Sequence, residues 1–224
     1  MAKAISKEKI LKKIGEENAR IIHSPILPEH YVYKELTPRE YNLEFSKQKI
    51  AELKLKSQEI KILTDSSSTN KQIAEAVKKA WEKIGLNVEI ELLSSSELQK
   101  AILNKDYSVI ILGISLGLNN NPYPYWHSSQ IEKGGLNLSK FNNQEVDSLL
   151  ENFSSSNNQE KSREYLHAFQ DIIHEEIPAI FLFQPKSYYL IDKKIKVQKD
   201  YFSNKLDRFN KINLWYIKTK RIPK

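Results

Sequence analysis

The sequence contains no cysteine and only six glycines among its 224 residues. The lack of cysteine excludes disulfides, thiolate metal ligands and thiol nucleophiles, although it leaves the compartment open because many exported proteins also lack it. No glycine-rich run is followed by the lysine or helix that a phosphate-binding loop requires. Nucleotide-dependent chemistry is therefore not expected.

Long apolar runs and metal-ligand spacings are missing as well. No segment has the roughly 20 consecutive apolar residues that a membrane-spanning helix needs. Charged residues interrupt the first nine positions, so this chain has no signal-peptide core. None of its five histidines is paired at H-x-H or H-x-x-x-H spacing. We expect neither a metal nor a cofactor.

The net charge of +7 is distributed unevenly along the chain. Residues 186–224 contain 12 basic and 3 acidic residues, whereas the preceding residues contain 23 basic and 25 acidic ones. A charge run of this kind is usually a solvated surface. A basic-tailed nucleic-acid or membrane-surface binder remains an alternative, and its binding would weaken steeply with salt.

The middle of the chain has the alternating periodicity of an α/β domain. Apolar spacing and capping residues predict strands at Ile60–Thr64, Asn87–Leu92 and Tyr107–Ile114, with helices at about 69–85 and 94–104 between them. Because the connections are short, this β-α-β-α-β order predicts a parallel sheet covered by helices. The continuous apolar run Tyr107–Ile114 is typical of a strand buried on both faces.

The flanking segments are predicted mainly as helices. Apolar spacing and capping residues indicate helices at Ser6–Gly15, Leu43–Leu53, Gln144–Phe153 and Gln159–Glu176. Thr37–Glu40 has the pattern of a helix start, with Pro38 in the first helical position. Strands are predicted at Ala179–Ile191 and Ile212–Ile217.

The long loop from Ser115 to about Phe141 is the best candidate for a binding site. It follows a central strand of the predicted parallel sheet, where open α/β sheets bind ligands. Its amide, hydroxyl and aromatic groups suit an uncharged or weakly polar ligand. The candidate ligand-binding residues are Ser115, Asn119, Asn120, Asn121, Tyr123, Tyr125 and Trp126. Alternatively, the aromatic rings only anchor the loop to the core.

An enzymatic alternative rests on Gly113–Gly117, which matches the G-x-S-x-G pattern of α/β serine hydrolases with Ser115 as nucleophile. Asp147 or Asp171, followed by His174, would supply the remaining groups in the right order. That fold needs a helix immediately after the serine, and the following Asn-Asn-Asn-Pro-Tyr-Pro sequence cannot form one. We therefore expect no enzyme activity.

Short motifs in a fixed order suggest a family. They are Ala4–Ile10 (A-I-S-K-E-K-I), Ser24–Pro28, Tyr41–Lys47, Ile73–Val88, Pro122–Gln130, Gly135–Asn137 and Phe141–Asp147. In this order the chain resembles the C-terminal half of the family 5 extracellular solute-binding proteins, the oligopeptide- and dipeptide-type receptors of ABC importers.

The resemblance implies a type II periplasmic-binding-protein fold, in which two lobes close on a ligand. Residues 1–191 would be the second lobe, incomplete at its start, and residues 192–224 a basic segment returning to a missing first lobe. The chain would then be a fragment or truncated product of an extracytoplasmic protein, periplasmic or lipid-anchored. It would bind a peptide-like or other small polar solute and deliver it to an ABC permease.

One position departs from the pattern of the peptide-binding members. Their loop carries an aspartate that holds the amino terminus of the peptide, and counting back from Pro122 places Leu118 there. We include Leu118 among the ligand-binding candidates for this reason. An apolar side chain forgoes a charge-assisted contact worth roughly 1.5–3 kcal/mol, so an ordinary peptide ligand is in question.

Overall fold

The computed structural model describes residues 1–15, 19–116, 121–186, 188, 190–197 and 212–219. Its helices are α1 (Lys7–Ile14), α2 (Leu43–Glu52), α3 (Ser68–Glu82), α4 (Ser95–Asn104), α5 (Tyr123–Trp126), α6 (Gln144–Ser155) and α7 (Gln159–Glu176). Its strands are β1 (Ala19–Ile21), β2 (Glu59–Asp65), β3 (Asn87–Leu93), β4 (Val109–Ile110), β5 (Phe183–Pro185), β6 (Ile195–Lys196) and β7 (Tyr216–Ile217). In the described part of the chain, no helix has both the length and the apolar character needed to cross a membrane.

A three-stranded parallel sheet of order β3-β2-β4 forms the centre of the fold. Helices α3 and α4 supply the crossovers, which confirms the predicted α/β architecture. Two antiparallel pairs accompany the sheet, β1 with β5 and β6 with β7. All three parallel strands run the same way, so their carboxyl ends lie at one edge and the loops that follow them are neighbours.

Two apolar clusters stabilise these elements. The first joins the sheet to α1, α2 and α3 and includes Ile62, Trp81 and Val88. The second lies around α5, α6 and α7 and includes Trp126 and Phe169. Residues 179–183 contribute to both clusters. Ala179 and Phe181 pack on the second cluster, whereas Ile180, Leu182 and Phe183 pack on the first.

Local capping fixes several helix starts. Ser94 begins α4 with a full capping box, in which its side chain accepts from the Glu97 amide and the Glu97 carboxylate accepts from the Ser94 amide. Asn143 and Asn158 cap α6 and α7, each accepting from two amides of the first turn. For α3 the cap is Ser67, two residues before the predicted Thr69.

Three predicted elements were wrong in extent. No helix begins at Thr37–Glu40, and α2 is capped by Asn42 instead. The Arg39 guanidinium donates to the carbonyl oxygens of His174 and Glu175 at the end of α7, and this long-range contact holds the segment in an extended path. In the described part of the predicted strand Ala179–Ile191, only β5 is a strand. The predicted strand Ile212–Ile217 is a 3-10 turn followed by β7.

The strand predicted at Tyr107–Ile114 is also shorter and less buried than expected. Only Val109 and Ile110 form its ladder, and both are half-buried. It pairs with β2 on one side, and no partner strand on its other side is present among the described residues. Because no described strand pairs with β4 on that side, Val109 and Ile110 keep part of their surface exposed.

Candidate ligand-binding site at the end of the central strands

The candidate site begins where β4 ends. The Ile111 amide donates to the Leu63 carbonyl oxygen at 2.9 Å, and the Thr64 hydroxyl donates to the Ile111 carbonyl oxygen at 2.8 Å. These two bonds hold the chain against β2 for one residue beyond the ladder. Gly113, Ile114 and Ser115 then become exposed at the carboxyl edge of the sheet, with Ile114 at 52% exposure.

Four of the predicted site residues can be placed beyond this edge, whereas Leu118, Asn119 and Asn120 lie outside the described residues. Asn121 is exposed, and its side-chain oxygen accepts from the Tyr123 amide at 3.0 Å at the start of α5. Tyr123 and Tyr125 are half-buried. The Tyr123 ring stacks on His127 with 4.2 Å between ring centroids.

Trp126 differs from the other candidates because it belongs to the core. Its exposed fraction is 9%, and its ring lies 6.3 Å from that of Phe169 and 5.8 Å from that of Phe181. Little of the indole surface is left for a ligand. In this structure Trp126 anchors the loop.

Asn137 holds the loop at a second point, a role that sequence reasoning did not assign to it. The side chain is fully buried, and its amide group lies within 3.3 Å of the carbonyl oxygens of Trp126, His127 and Phe141. Its oxygen accepts from the Phe141 amide and the Ser139 hydroxyl, both at 3.1 Å. One side chain thus closes the loop between residues 126 and 141.

Helix α6 supplies a third attachment. The Asp147 carboxylate accepts from the amide of Ser128 at 2.8 Å and also from its hydroxyl. His127 is buried beside this pair. Its Nδ1 accepts from the Ser129 amide at 3.1 Å, which leaves the proton on Nε2 to be donated to Glu151 at 3.3 Å.

Two side chains preceding β4 bind the far end of the same loop. The Lys105 ammonium group donates to the carbonyl oxygens of Gly135 and Asn137 at 2.6 and 3.1 Å, and burial lowers its pKa. The Tyr107 hydroxyl donates to the Leu138 carbonyl oxygen at 2.8 Å, and burial raises the pKa of this phenol. The loop is therefore built onto the sheet as a rigid support for the segment after Ser115.

The groups required by the hydrolase alternative are used elsewhere. Asp147 is bonded to Ser128, and Asp171 forms an ion pair with the Lys34 ammonium group at 2.5 Å. No hydrogen bond joins Ser115 to a histidine within the described ranges. Across those same ranges, no three His, Asp or Glu side chains are grouped closely enough to hold a metal ion.

The basic segment that motivated the nucleic-acid and membrane-surface alternative is described only in part. Residues 198–211 and 220–224 lie outside the described residues. The short β6–β7 pair is described, and Tyr216 and Ile217 in β7 are each 56% exposed. The division of the chain at residue 191 remains a prediction.

Residues 1–135 match the sequence profile of the bacterial extracellular solute-binding proteins, family 5, in its middle region. The chain belongs to this family. That membership confirms the resemblance seen in the short motifs from Ala4 to Asp147 and the fold inferred from it.

Individual relatives agree with the family assignment. The oligopeptide-binding protein AppA of Bacillus subtilis is 26% identical over 96% of the chain, and the probable D,D-dipeptide-binding periplasmic protein DdpA of Escherichia coli is 28% identical over 80%. The structure of Bacillus subtilis AppA with a nonapeptide superposes with a TM-score of 0.79 over 97% of the chain at 23% identity.

The chain spans less than half the length of these proteins, covering 42% of AppA and 36% of DdpA in sequence and 46% of the AppA structure. What it shares with AppA in three dimensions is the type II periplasmic-binding-protein fold of one portion. The similarity extends over nearly the whole chain.

Proposed function

We propose that the chain is a ligand-binding lobe of an ABC-importer receptor, binding a peptide-like or other small polar solute at the carboxyl edge of its sheet. Membership of the solute-binding family supports this function. The exposed segment Gly113–Ser115, followed by a loop held from three sides, carries the choice of site. Rigid support for a few exposed groups is how binding sites limit the entropy lost on association.

The ligand-contacting residues in this proposal are Ser115, Leu118, Asn119, Asn120, Asn121, Tyr123 and Tyr125. Trp126 contributes by fixing the end of the segment, since its ring is occupied by Phe169 and Phe181. Leu118 replaces a carboxylate with an apolar side chain, which favours solutes without a free α-amino group over ordinary peptides.

The proposal includes two partners for this lobe. A second lobe would close over the exposed edge, and a membrane permease would receive the solute. Both partners place the working protein outside the cytoplasmic membrane, in the periplasm or lipid-anchored on the outer face of the cell. The names of AppA and DdpA support a peptide-like ligand, and that of DdpA supports this location.

Replacing Ser115 with tryptophan tests the site. Ser115 is exposed and makes no hydrogen bond that the described structure records, so the substitution adds bulk at the sheet edge without disturbing the core. In the two-lobe protein we expect the affinity for a pool of short peptides with acetylated amino termini to fall at least tenfold, or about 1.4 kcal/mol. Isothermal titration or native mass spectrometry measures it.

The matched control is Ser148→Trp, which adds the same side chain at an exposed position of α6. It should bind the peptide pool like the unmodified protein. Equal affinity in the two variants would remove Ser115 from the ligand surface, even if the protein proved to be a transport receptor.

A fluorophosphonate probe tests the enzymatic alternative in a separate experiment. Because no histidine is hydrogen-bonded to Ser115 among the described residues, and because Asp147 and Asp171 are bound to Ser128 and Lys34 and so cannot orient one, Ser115 should not be labelled. Labelling would be followed by mass spectrometry of the tryptic peptides. Labelling of the unmodified chain that is lost in Ser115→Ala would overturn the proposed function in favour of a serine hydrolase.

A further inference from the structure

A small cavity lies away from the candidate ligand-binding site, between α1, the segment before α2 and the end of α7. Its volume is about 80 Å³, enough for several water molecules or one small ion. Four basic side chains, Lys7, His23, Arg39 and His174, contribute to its lining. Apolar side chains make up much of the rest, among them Ile5, Ile173 and Phe181.

The basic side chains come from separate parts of the chain and are fixed by backbone contacts. The Lys7 ammonium group donates to the Ile22 carbonyl oxygen at 2.8 Å and to Nδ1 of His23 at 3.0 Å. Its third N–H has no acceptor among the described residues. Arg39 binds the carbonyl oxygens at the end of α7, so its charge is held at the cavity wall.

Acidic groups do little to neutralise this cluster. Glu8 lines the cavity but is exposed, and its carboxylate accepts from the Ser6 hydroxyl at 3.0 Å. Asp171, which also acts on His174, forms its ion pair with Lys34. The lining of the cavity consequently holds four basic side chains and one exposed carboxylate, that of Glu8.

The titration behaviour of the cluster agrees with this arrangement. Burial lowers the pKa of Lys7 to about 8. Burial also lowers the pKa of His23, with further lowering by Lys7 and His174. For His174 burial again comes first in lowering the pKa, followed by the positive charges of Arg39 and Lys7. Glu8 raises the pKa values of Lys7 and His23, and Asp171 raises that of His174, but these carboxylates offset only part of the lost hydration.

We propose that this cavity is a binding site for a small oxyanion. The N–H groups of lysine, arginine and histidine are the donors that recognise carboxylate and sulfate oxygens. The volume limits the ligand to a small ion, and the apolar side chains in the lining can contact a methyl group, so acetate is the best-matched simple probe. This cavity is distinct from the candidate ligand-binding site. The two are neighbours through Phe181, which lines the cavity and whose ring centroid lies 5.8 Å from that of Trp126.

Histidine titration by NMR on the full 224-residue chain tests the proposal. At constant ionic strength, we compare sodium acetate and sodium sulfate with sodium chloride, assigning His23 and His174 from their glutamine variants. An oxyanion beside these rings favours their charged forms, so both pKa values should rise by about one unit at saturation. A response to acetate alone points to a carboxylate ligand, whereas a response to both salts points to an oxyanion site without need of the methyl group.

Variants that each remove one positive charge test whether the anion effect arises in this cavity. Lys7→Gln should abolish the anion-dependent rise at His174, whereas Lys12→Gln, the same change at an exposed position of α1, should retain it. If Lys7→Gln fails to fold, the titration of the unmodified chain decides by itself. Unchanged histidine pKa values in both oxyanion salts, or equal rises in the two lysine variants, would overturn the proposal.

Discussion

Replacing Trp126 with alanine is expected to lower the free energy of unfolding by about 3–5 kcal/mol, the range for removing a large aromatic side chain from a core. The ring is 9% exposed and packs against Phe169 and Phe181, so its loss leaves a cavity between α5, α7 and the segment before β5. Urea unfolding followed by circular dichroism measures the effect.

Tyr31→Ala is the control for this substitution. Tyr31 is 47% exposed, and its ring centroid lies 4.8 Å from that of His30, so its removal should cost about 1 kcal/mol or less. If Trp126→Ala cost no more than Tyr31→Ala, the indole would have to be free to contact a ligand. The comparison matters because a loss of solute binding in Trp126→Ala would otherwise be ambiguous between loss of a contact and loss of the fold.

Asn137→Asp should lower the free energy of unfolding nearly as much as Trp126→Ala, although it replaces only one heavy atom of the side chain. The amide group of Asn137 faces the carbonyl oxygens of Trp126, His127 and Phe141, and a carboxylate would set an oxygen against all three. Leaving these buried acceptors unpaired and adding a buried charge should cost about 3–5 kcal/mol near neutral pH. Urea unfolding again measures the loss.

The pH dependence of the unfolding free energy of Asn137→Asp separates the cost of the buried charge from that of the unpaired carbonyl oxygens. Burial among carbonyl oxygens raises the folded-state pKa of the carboxyl group introduced by Asn137→Asp above its unfolded value. The penalty therefore grows as the pH rises through that range and is smaller near pH 4 than near pH 7. Asn142→Asp, at an exposed position, should leave stability within about 0.5 kcal/mol at both pH values. Similar losses in both variants would contradict the role assigned to Asn137.

Elements defined by local chemistry were predictable from the sequence. The bounds of α7 are those predicted, and the cap of α4 is Ser94 as expected, because capping residues and apolar spacing act within a few residues of the chain. The parallel sheet was predictable for a related reason, since short crossovers between strands leave few alternatives.

Contacts between distant segments account for the errors. Thr37–Glu40 has the composition of a helix start, but Arg39 is bound to the end of α7, 135 residues away. The apolar run of β4 indicated burial on both faces, whereas its neighbours in the sheet leave it at an edge. Neither the partner of an arginine nor the position of a strand in a sheet is encoded in local periodicity.

The candidate site was located by position, while its construction was not foreseen. Placing the candidate site after β4 required only the strand order. Trp126 was assigned to the ligand because an aromatic residue in a loop has the same sequence signature whether it faces solvent or core. The role of Asn137 depends on backbone carbonyl groups that have no residue signature at all.

The attachments of the loop at Trp126, Asn137 and Asp147 separate the residues that the fold needs from those proposed to contact a ligand. Between the last sheet bond at Ile111 and the buried ring of Trp126, the described residues 113–115 and 121 contribute no buried side chain to either apolar cluster. Positions 113–115 and 121 can therefore be varied together, while Ile111, Trp126 and Asn137 are kept, as are Tyr123 and Tyr125, which pack on the second cluster. Receptors with altered solute preference could be selected from libraries confined to these four positions, without compensating mutations in the surrounding lobe.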